Sequence, residues 1–267
     1  MKILCIFLDS IRPNRLATFN NKIRPNTFDS FLKSFGGDIY TNAYTPGPDS
    51  PRSTSAFLTG IHPNKNGCNT RLKWPKFYLK EKENIFDFFQ SMNYKIDCFS
   101  PLNEIKNGFY PKNFNPINSK NNHGDYVKYL KDLKLENDHF IFLSFPDLHR
   151  TMDDYGANKI GEQQGYIILS EILKTIFEIH DKDSFDDIII FSDHGYKLSR
   201  EYKFQKKEFL LNFDRTNIFL LHRKKGARNI IFNNLLLSTE DIFSMLKKIV
   251  NEEKFSFNRQ YVLIEDH

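Results

Sequence analysis

An unbroken apolar run from Ile3 to Leu8, without period-two alternation, predicts a strand buried on both faces. It stops at a polar cluster, Asp9, Ser10 and Arg12, ahead of Pro13. Two later runs behave alike: His139 to Phe145 is followed by Asp147-Leu148-His149, and Asp187 to Ser192 by Asp193-His194-Gly195. Between these strands the apolar positions fall at helical spacing. Phe28, Phe31, Leu32 and Phe35 follow Pro25-Asn26-Thr27 and are closed by Gly36-Gly37, which predicts an N-capped amphipathic helix with a glycine stop. Further helices are expected over Ser53 to Leu58 (ended by Gly60), Ile85 to Met92, Asp125 to Leu133, Gly161 to Ile179 and Thr239 to Val250, the last capped at Ser238 or Thr239. Further strands are expected at Ile39 to Tyr44, Lys95 to Ser100, Asn217 to Leu221 and Tyr261 to Ile264. Residues 101–122, rich in Asn, Lys and Pro and lacking periodicity, read as a loop or lid.

Strands and helices alternate, and three apolar strands end in groups able to bind metal. That is the layout of an α/β protein whose parallel sheet carries its site beyond the strand C-termini. Neither an internal repeat nor a domain boundary is visible, so residues 1–267 are expected to form one catalytic domain.

Composition narrows the function classes. With 40% hydrophobic residues and 27 Phe against 27% charged residues, the chain is too apolar to be disordered. Thirty-eight Lys+Arg against 33 Asp+Glu give +5 without long basic runs, which suits a small anionic substrate better than nucleic acid. Cys5, Cys68 and Cys98 have no CxxC spacing, which argues against a disulfide framework or a zinc knuckle. No window has membrane-spanning length, and Ile3 to Leu8 is too short for a signal-peptide core, so a cytoplasmic protein is expected. Oligomeric state is not legible.

Asp9, Asp147, His149, Asp193 and His194, on separate strand ends, suit a divalent cation with mixed oxygen and nitrogen ligands, Zn²⁺ or Mn²⁺ rather than Ca²⁺. Any one of them alone reads as a helix cap or turn residue; the coincidence of three clusters points to a site. A nucleophile is offered by Ser50 within Thr45 to Gly60, at the opening of a helix whose free N–H groups and positive dipole end would favour an alkoxide and a bound phosphoryl group. The same Ser/Thr-rich stretch also reads as a plain N-cap, with Ser53 and Thr54 as alternatives.

Phe7-Leu-Asp9-Ser-Ile-Arg12-Pro-Asn-Arg-Leu16, Leu58-Thr-Gly-Ile-His-Pro-Asn-Lys-Asn-Gly67 and Phe191-Ser-Asp-His-Gly195 together resemble the sulfatase and alkaline phosphatase superfamily, over about residues 1–250. The resemblance implies a three-layer αβα fold with a largely parallel central sheet and an alkaline-phosphatase-like core. It implies that Asp9, Ser50, Asp193 and His194 bind one metal. It also implies that Asp147 and His149 lie near the transferred group or a second metal, and that Lys207 (or Lys206) contacts substrate. Sulfatases convert a Cys or Ser to formylglycine within Cys/Ser-x-Pro/Ala-x-Arg. Ten residues before Gly60 stands Ser50, but positions 52 and 54 are Arg and Thr. Asp9-Ser10 and Asp193-His194 likewise replace the paired Asp and the Asp-Asn common in sulfatases. The nearer resemblance is to members with an unmodified Ser or Thr nucleophile. With no late His clearly placed, one metal site is expected, a second remaining open through Asp147 and His149.

The resulting expectation is a metal-dependent hydrolase or transferase of small anionic or glycan phosphoesters. Ser50 and His149 are its catalytic residues, Asp9, Ser50, Asp193 and His194 its metal ligands, and Arg52, Asp147 and Lys207 its substrate contacts. The alternatives are a sulfatase and a catalytically silent binder of phosphorylated or sulfated glycans.

Overall fold

The computed structural model describes residues 1–68, 83–101, 117–119, 123–196 and 211–265. At its centre β1 (Lys2–Leu8) lies between β5 (His139–Phe145) and β6 (Asp187–Phe191) and runs parallel to both. A central strand has no solvent face, which is why its apolar run does not alternate. Around it the sheet extends through β2 (Gly37–Tyr44), β3 (Lys95–Pro101), β4 (Ile117–Ser119), β7 (Leu220–Lys224) and β8 (Ile230–Ser238) in the order β4-β3-β5-β1-β6-β7-β2-β8. Among the described pairings only β7 runs antiparallel, against β6 and β2.

Helices cover both faces. Leu4, Ile6 and Leu8 of β1 pack with residues of α1 (Thr27–Phe35), α5 (His123–Asp132), α6 (Asp147–Tyr155) and α7 (Lys159–Ile179). Ile3, Cys5 and Phe7 pack on the other side with residues of α2 (Ser50–Thr59), α4 (Ile85–Ser91) and α9 (Asp241–Val250). The short α3 (Pro63–Asn66) and α8 (Phe213–Thr216) lie in connections. The expected three-layer α/β fold with a mostly parallel sheet is therefore present. Phenylalanine fills the second layer: Phe57 sits 5.6 Å from Phe7 and 4.9 Å from Phe191, ring centre to ring centre.

The expected cap of α1 is also present. Asn26 accepts from the Phe28 and Asp29 amides and the Asp29 carboxylate accepts from the Asn26 amide, which satisfies the donors that a helix start leaves free.

Several elements depart from expectation. Asp147-Leu148-His149, expected only as a polar strand end, opens helix α6, which runs to Tyr155. The run at 217–221 pairs later, as β7 over Leu220–Lys224, because Asn217 and Ile218 lean on the end of β2. Edge strand β8 was not expected; its Ile231 and Phe232 are exposed, so its apolar residues do not mark one buried face. Tyr261 to Ile264 is not a strand. The segment is held against the loops around α2 instead: the Glu265 amide donates to the Pro46 carbonyl at 3.0 Å, and His62 Nε2 lies 3.2 Å from the Leu263 carbonyl. Of the expected loop or lid at 101–122, residues 102–116 and 120–122 lie outside the described residues. No helix among the described residues is long and apolar enough to cross a membrane.

Candidate metal and nucleophile site

Sheet register brings the polar strand ends together. Leu8 pairs with Phe145 and Phe7 with Phe191, so Asp9, Asp147 and Asp193 all leave the sheet at one edge. There the ligand atoms of Asp9, Asp193 and His194 lie within 4.8 Å of one another. Asp193 Oδ1 accepts two backbone amides, from Ser10 at 3.1 Å and His194 at 2.8 Å. Its Oδ2 is buried without a hydrogen-bond partner, 3.2 Å from His194 Nε2.

The tautomer of His194 follows from its neighbours. Nδ1 faces the Gly195 carbonyl at 2.8 Å, and a carbonyl only accepts, so Nδ1 carries the proton. Burial, with the nearby Arg215 and His149 charges, outweighs the pull of Asp9 and brings His194 down to about 4, leaving Nε2 a bare lone pair at neutral pH. Burial and the charge of Asp9 push Asp193 well above the usual carboxylate range. Asp9 is held at about 2: burial would raise it, but hydrogen bonding and charge from His149, then His194 and Ser10, prevail. Two carboxylates and an imidazole lone pair, one carboxylate oxygen being orphaned, fit a divalent cation with mixed oxygen and nitrogen donors.

Ser50 joins this cluster. Asp49, which sequence reasoning passed over, caps α2 by accepting from the Arg52 amide, so the helix begins at Ser50 rather than near Ser53. Ser50 Oγ stands 3.0 Å from His194 Nε2 and is only partly buried. Ser53, the rival cap, instead donates its hydroxyl to the Asp193 carbonyl at 2.8 Å and ties α2 to the strand end. The helix opening is less free for an anion than expected. Pro51 has no N–H, and Asp49 takes the Arg52 and Ser53 amides.

Arg52 corrects the expectation of a substrate contact. It is buried, its Nε and Nη2 bind Asp49 Oδ2, and its Nη1 donates to the Glu265 carbonyl at 2.8 Å. The guanidinium braces the start of α2 against the segment that carries Glu265. Asp147 opens α6, and its carboxylate is not among the three that converge. A second metal site through Asp147 and His149 is therefore not assembled among the described residues. Lys206 and Lys207 lie outside the described residues.

His149 is drawn in from α6. Its Nδ1 lies 3.2 Å from Asp9 Oδ2 and its Nε2 3.5 Å from Asp153 Oδ2, and its ring meets Tyr196 edge-on. Burial would lower it, but the Asp9 hydrogen bond and charge, with Asp153 and Asp193, raise it to about 9. Asp153 was missed because it is the i+4 neighbour of His149 only once 147–155 is read as a helix. Arg12, which pairs with Asp214 at 2.7 Å and donates to the Tyr196 carbonyl at 2.9 Å, holds the loop after β6.

Gly195 completes the turn. A Cβ there would fall 1.7 Å from the Asp214 carbonyl oxygen, while its amide donates to the Arg215 carbonyl at 2.9 Å. Gly195→Ala is expected to lower stability by about 1–3 kcal/mol or more, read from chemical denaturation. An unchanged midpoint would show that this loop is not packed as described.

No protein-family profile matches the chain, and no curated protein matches it in sequence. Solved structures do. The chain is similar to a 2-O GAG sulfatase at 12% identity, over 97% of this chain and 72% of that one, with a TM-score of 0.72. A protein in the alkaline phosphatase superfamily from Vibrio parahaemolyticus gives 15% identity over 93% and 66%, with a TM-score of 0.68. The C-terminal periplasmic domain of a phosphoethanolamine transferase from Campylobacter jejuni gives 13% identity over 94% and 89%, with a TM-score of 0.59. The chain thus has the fold of the sulfatase and alkaline phosphatase superfamily, as its motifs implied.

Proposed function

We propose that this chain is a metal-dependent hydrolase or transferase of phosphate esters that works through a phosphoserine at Ser50. The observation that carries this reading is Ser50 Oγ, at the first residue of α2, partly exposed and 3.0 Å from His194 Nε2 in the Asp9, Asp193 and His194 cluster. Those three residues, with Ser50, would hold a divalent cation, which when bound supplies a Lewis acid for the hydroxyl and for the phosphoryl oxygens. Ser50 Oγ attacks phosphorus, its proton passing to solvent, and the bond from phosphorus to the leaving oxygen breaks. His149, whose Nδ1 faces Asp9 at 3.2 Å, gives a proton to that oxygen. Water or an acceptor hydroxyl then attacks phosphorus and returns its proton to His149, the bond from phosphorus to Ser50 Oγ breaks, and Oγ takes back a proton from solvent. The likeness to a phosphoethanolamine transferase supports the transfer branch, and a small anionic or glycan phosphoester is the substrate class.

His149→Ala is therefore expected to slow turnover of alkyl phosphates about 10²-fold or more, and of aryl phosphates with good leaving groups much less. Equal losses on both would remove the general-acid role.

A sulfatase reading draws on the likeness to a 2-O GAG sulfatase and on Ser50 standing ten residues before Gly60. It requires formylglycine at Ser50. The sequence there departs from the modification signature at Arg52 and Thr54, and Arg52 is committed to Asp49. One experiment separates the readings: metal-stripped protein resupplied with Zn²⁺, Mn²⁺ or Ca²⁺ and offered aryl phosphate monoesters, phosphodiesters and sulfates. Metal-restored phosphoester turnover is expected. Turnover of sulfate alone, with two hydrogens missing from the Ser50 peptide, would put the sulfatase first; binding without turnover of any ester would favour a silent glycan binder.

A further inference from the structure

We propose that a cleft between the segment 22–30 and α7, separate from the metal cluster, binds a small phosphorylated or sulfated molecule. Its oxyanion lies among Lys22, Arg24 and Lys159, and its organic body rests on Ile23, Pro25 and Ile167. None of these residues belongs to the metal and nucleophile site, so the inference stands apart from the proposed reaction.

The cleft has a volume of about 780 Å³, within the roughly 300–1,000 Å³ usual for small-molecule sites. Its walls are tied together. Arg15 grips the Glu162 carboxylate through Nε at 3.0 Å and Nη2 at 2.7 Å, which joins the loop after β1 to α7. Thr27 Oγ1 donates to the Tyr166 carbonyl at 3.2 Å, which joins α1 to α7. The space is thus formed before a ligand arrives, and binding need not first order it.

Charge decides what it takes. Arg15 and Glu162 neutralise each other. Lys22, Arg24 and Lys159 line the same cleft, are exposed, and have no carboxylate partner for their side chains among the described residues. Like charges around one space repel, and an oxyanion between them relieves the repulsion while accepting charge-assisted hydrogen bonds. The start of α1 contributes less, because the Asn26 side chain already accepts from the Phe28 and Asp29 amides. Ile23, Pro25 and Ile167 add an apolar wall that a bare inorganic ion would leave unused. Position offers two sources for such a ligand. β2 and β6 run parallel to β1, so α1 and α7, which lead into them, begin at the sheet edge where Asp9 and Asp193 stand. The ligand is a free metabolite or the second oxyanion of a molecule that also enters the metal site.

The test titrates phenylphosphonate, an anion with an apolar body and no ester to hydrolyse, into the metal-stripped full chain at low salt, read by calorimetry. One saturable site per chain is expected. Arg24→Ala and Lys159→Ala should each weaken it about 10-fold or more. Lys33→Ala removes an exposed charge from the last turn of α1 and should leave affinity within about twofold. Inorganic phosphate should bind more weakly than phenylphosphonate. Melting curves check that each variant folds. Alkane bisphosphonates of increasing length, titrated into Zn²⁺-loaded protein, then separate the two sources, both of which uphold the site. A gain of about 10-fold or more at one length, lost on metal stripping, shows one molecule bridging both sites; a flat series shows a free ligand.

No saturable site overturns the proposal, as does a site that keeps its affinity in folded Arg24→Ala and Lys159→Ala, since the probe would then bind elsewhere. A site weakened as much by Lys33→Ala overturns it too, because net charge alone would account for the attraction. Inorganic phosphate binding as tightly as phenylphosphonate overturns the organic ligand class. Binding in this cleft by a protein that turns over no phosphoester upholds the inference and removes only the reaction; phosphoester turnover without binding in the cleft does the reverse.

Discussion

Ser50→Ala is expected to abolish phosphoester turnover, a fall on the order of 10³-fold or more, with the fold intact. The loss is large because, in the proposed reaction, the hydroxyl forms the bond to phosphorus. Ser53 is the adjacent hydroxyl on α2, but it is fully buried and spent on the Asp193 carbonyl. Stability should change little. Ser50 is partly exposed, and its hydrogen bond to His194 is worth about 1 kcal/mol. The cation should stay bound through Asp9, Asp193 and His194. Single-turnover kinetics with a chromogenic phosphoester, beside melting curves, measure both parts. Residual turnover within tenfold of wild type would mean that water, not Ser50, attacks.

Asp193→Asn is expected to move activity and stability in opposite directions. The carboxylate is fully buried, its Oδ2 has no partner, and Asp9 stands beside it, so in metal-free protein it is pushed well above the usual carboxylate range and opposes folding when charged. An amide of the same shape keeps an oxygen for the Ser10 and His194 amides and removes the charge. Metal-free Asp193→Asn should therefore be more stable than metal-free wild type by about 1–3 kcal/mol. The variant should also lose metal affinity by more than the roughly 100-fold that an outer partner costs, and turnover with it. Adding Zn²⁺ at about 1,000 times its Kd should stabilise wild type by about 4 kcal/mol and leave the variant's melting temperature nearly unmoved. Thermal melts with and without Zn²⁺ decide this. A metal-free variant less stable than wild type would mean that the carboxylate is satisfied by contacts other than those described.

The contrasting outcomes at neighbouring positions show what a sequence encodes openly. The strands that run up to Asp9, Asp147 and Asp193 were legible because burial on both faces of the sheet requires continuous apolar runs, and the polar residues that follow those runs stand out. Ser50 was singled out by its place before a helix and its distance from Gly60. Arg52 could not be placed from sequence. Whether a guanidinium faces a substrate or a buried carboxylate depends on a contact with Glu265, far along the chain. The hydrogen-bonding role of Ser10 was hidden for the same reason, since it joins residues 9 and 193 across the sheet. Tyr261 to Ile264 shows the converse: a short apolar run reads as a strand, but the segment is held by hydrogen bonds to the loops around α2 instead of by a neighbouring strand.

The most direct test of a phosphoserine mechanism is to trap the intermediate. Zn²⁺-loaded protein is mixed with excess aryl phosphate, quenched in acid within a turnover, digested and read by peptide mass spectrometry. The account predicts one phosphate on the peptide containing Ser50, absent from His149-containing peptides, absent without metal and absent in Ser50→Ala. Steady turnover with Ser50 never phosphorylated, or a Ser50 peptide that carries formylglycine, would contradict it.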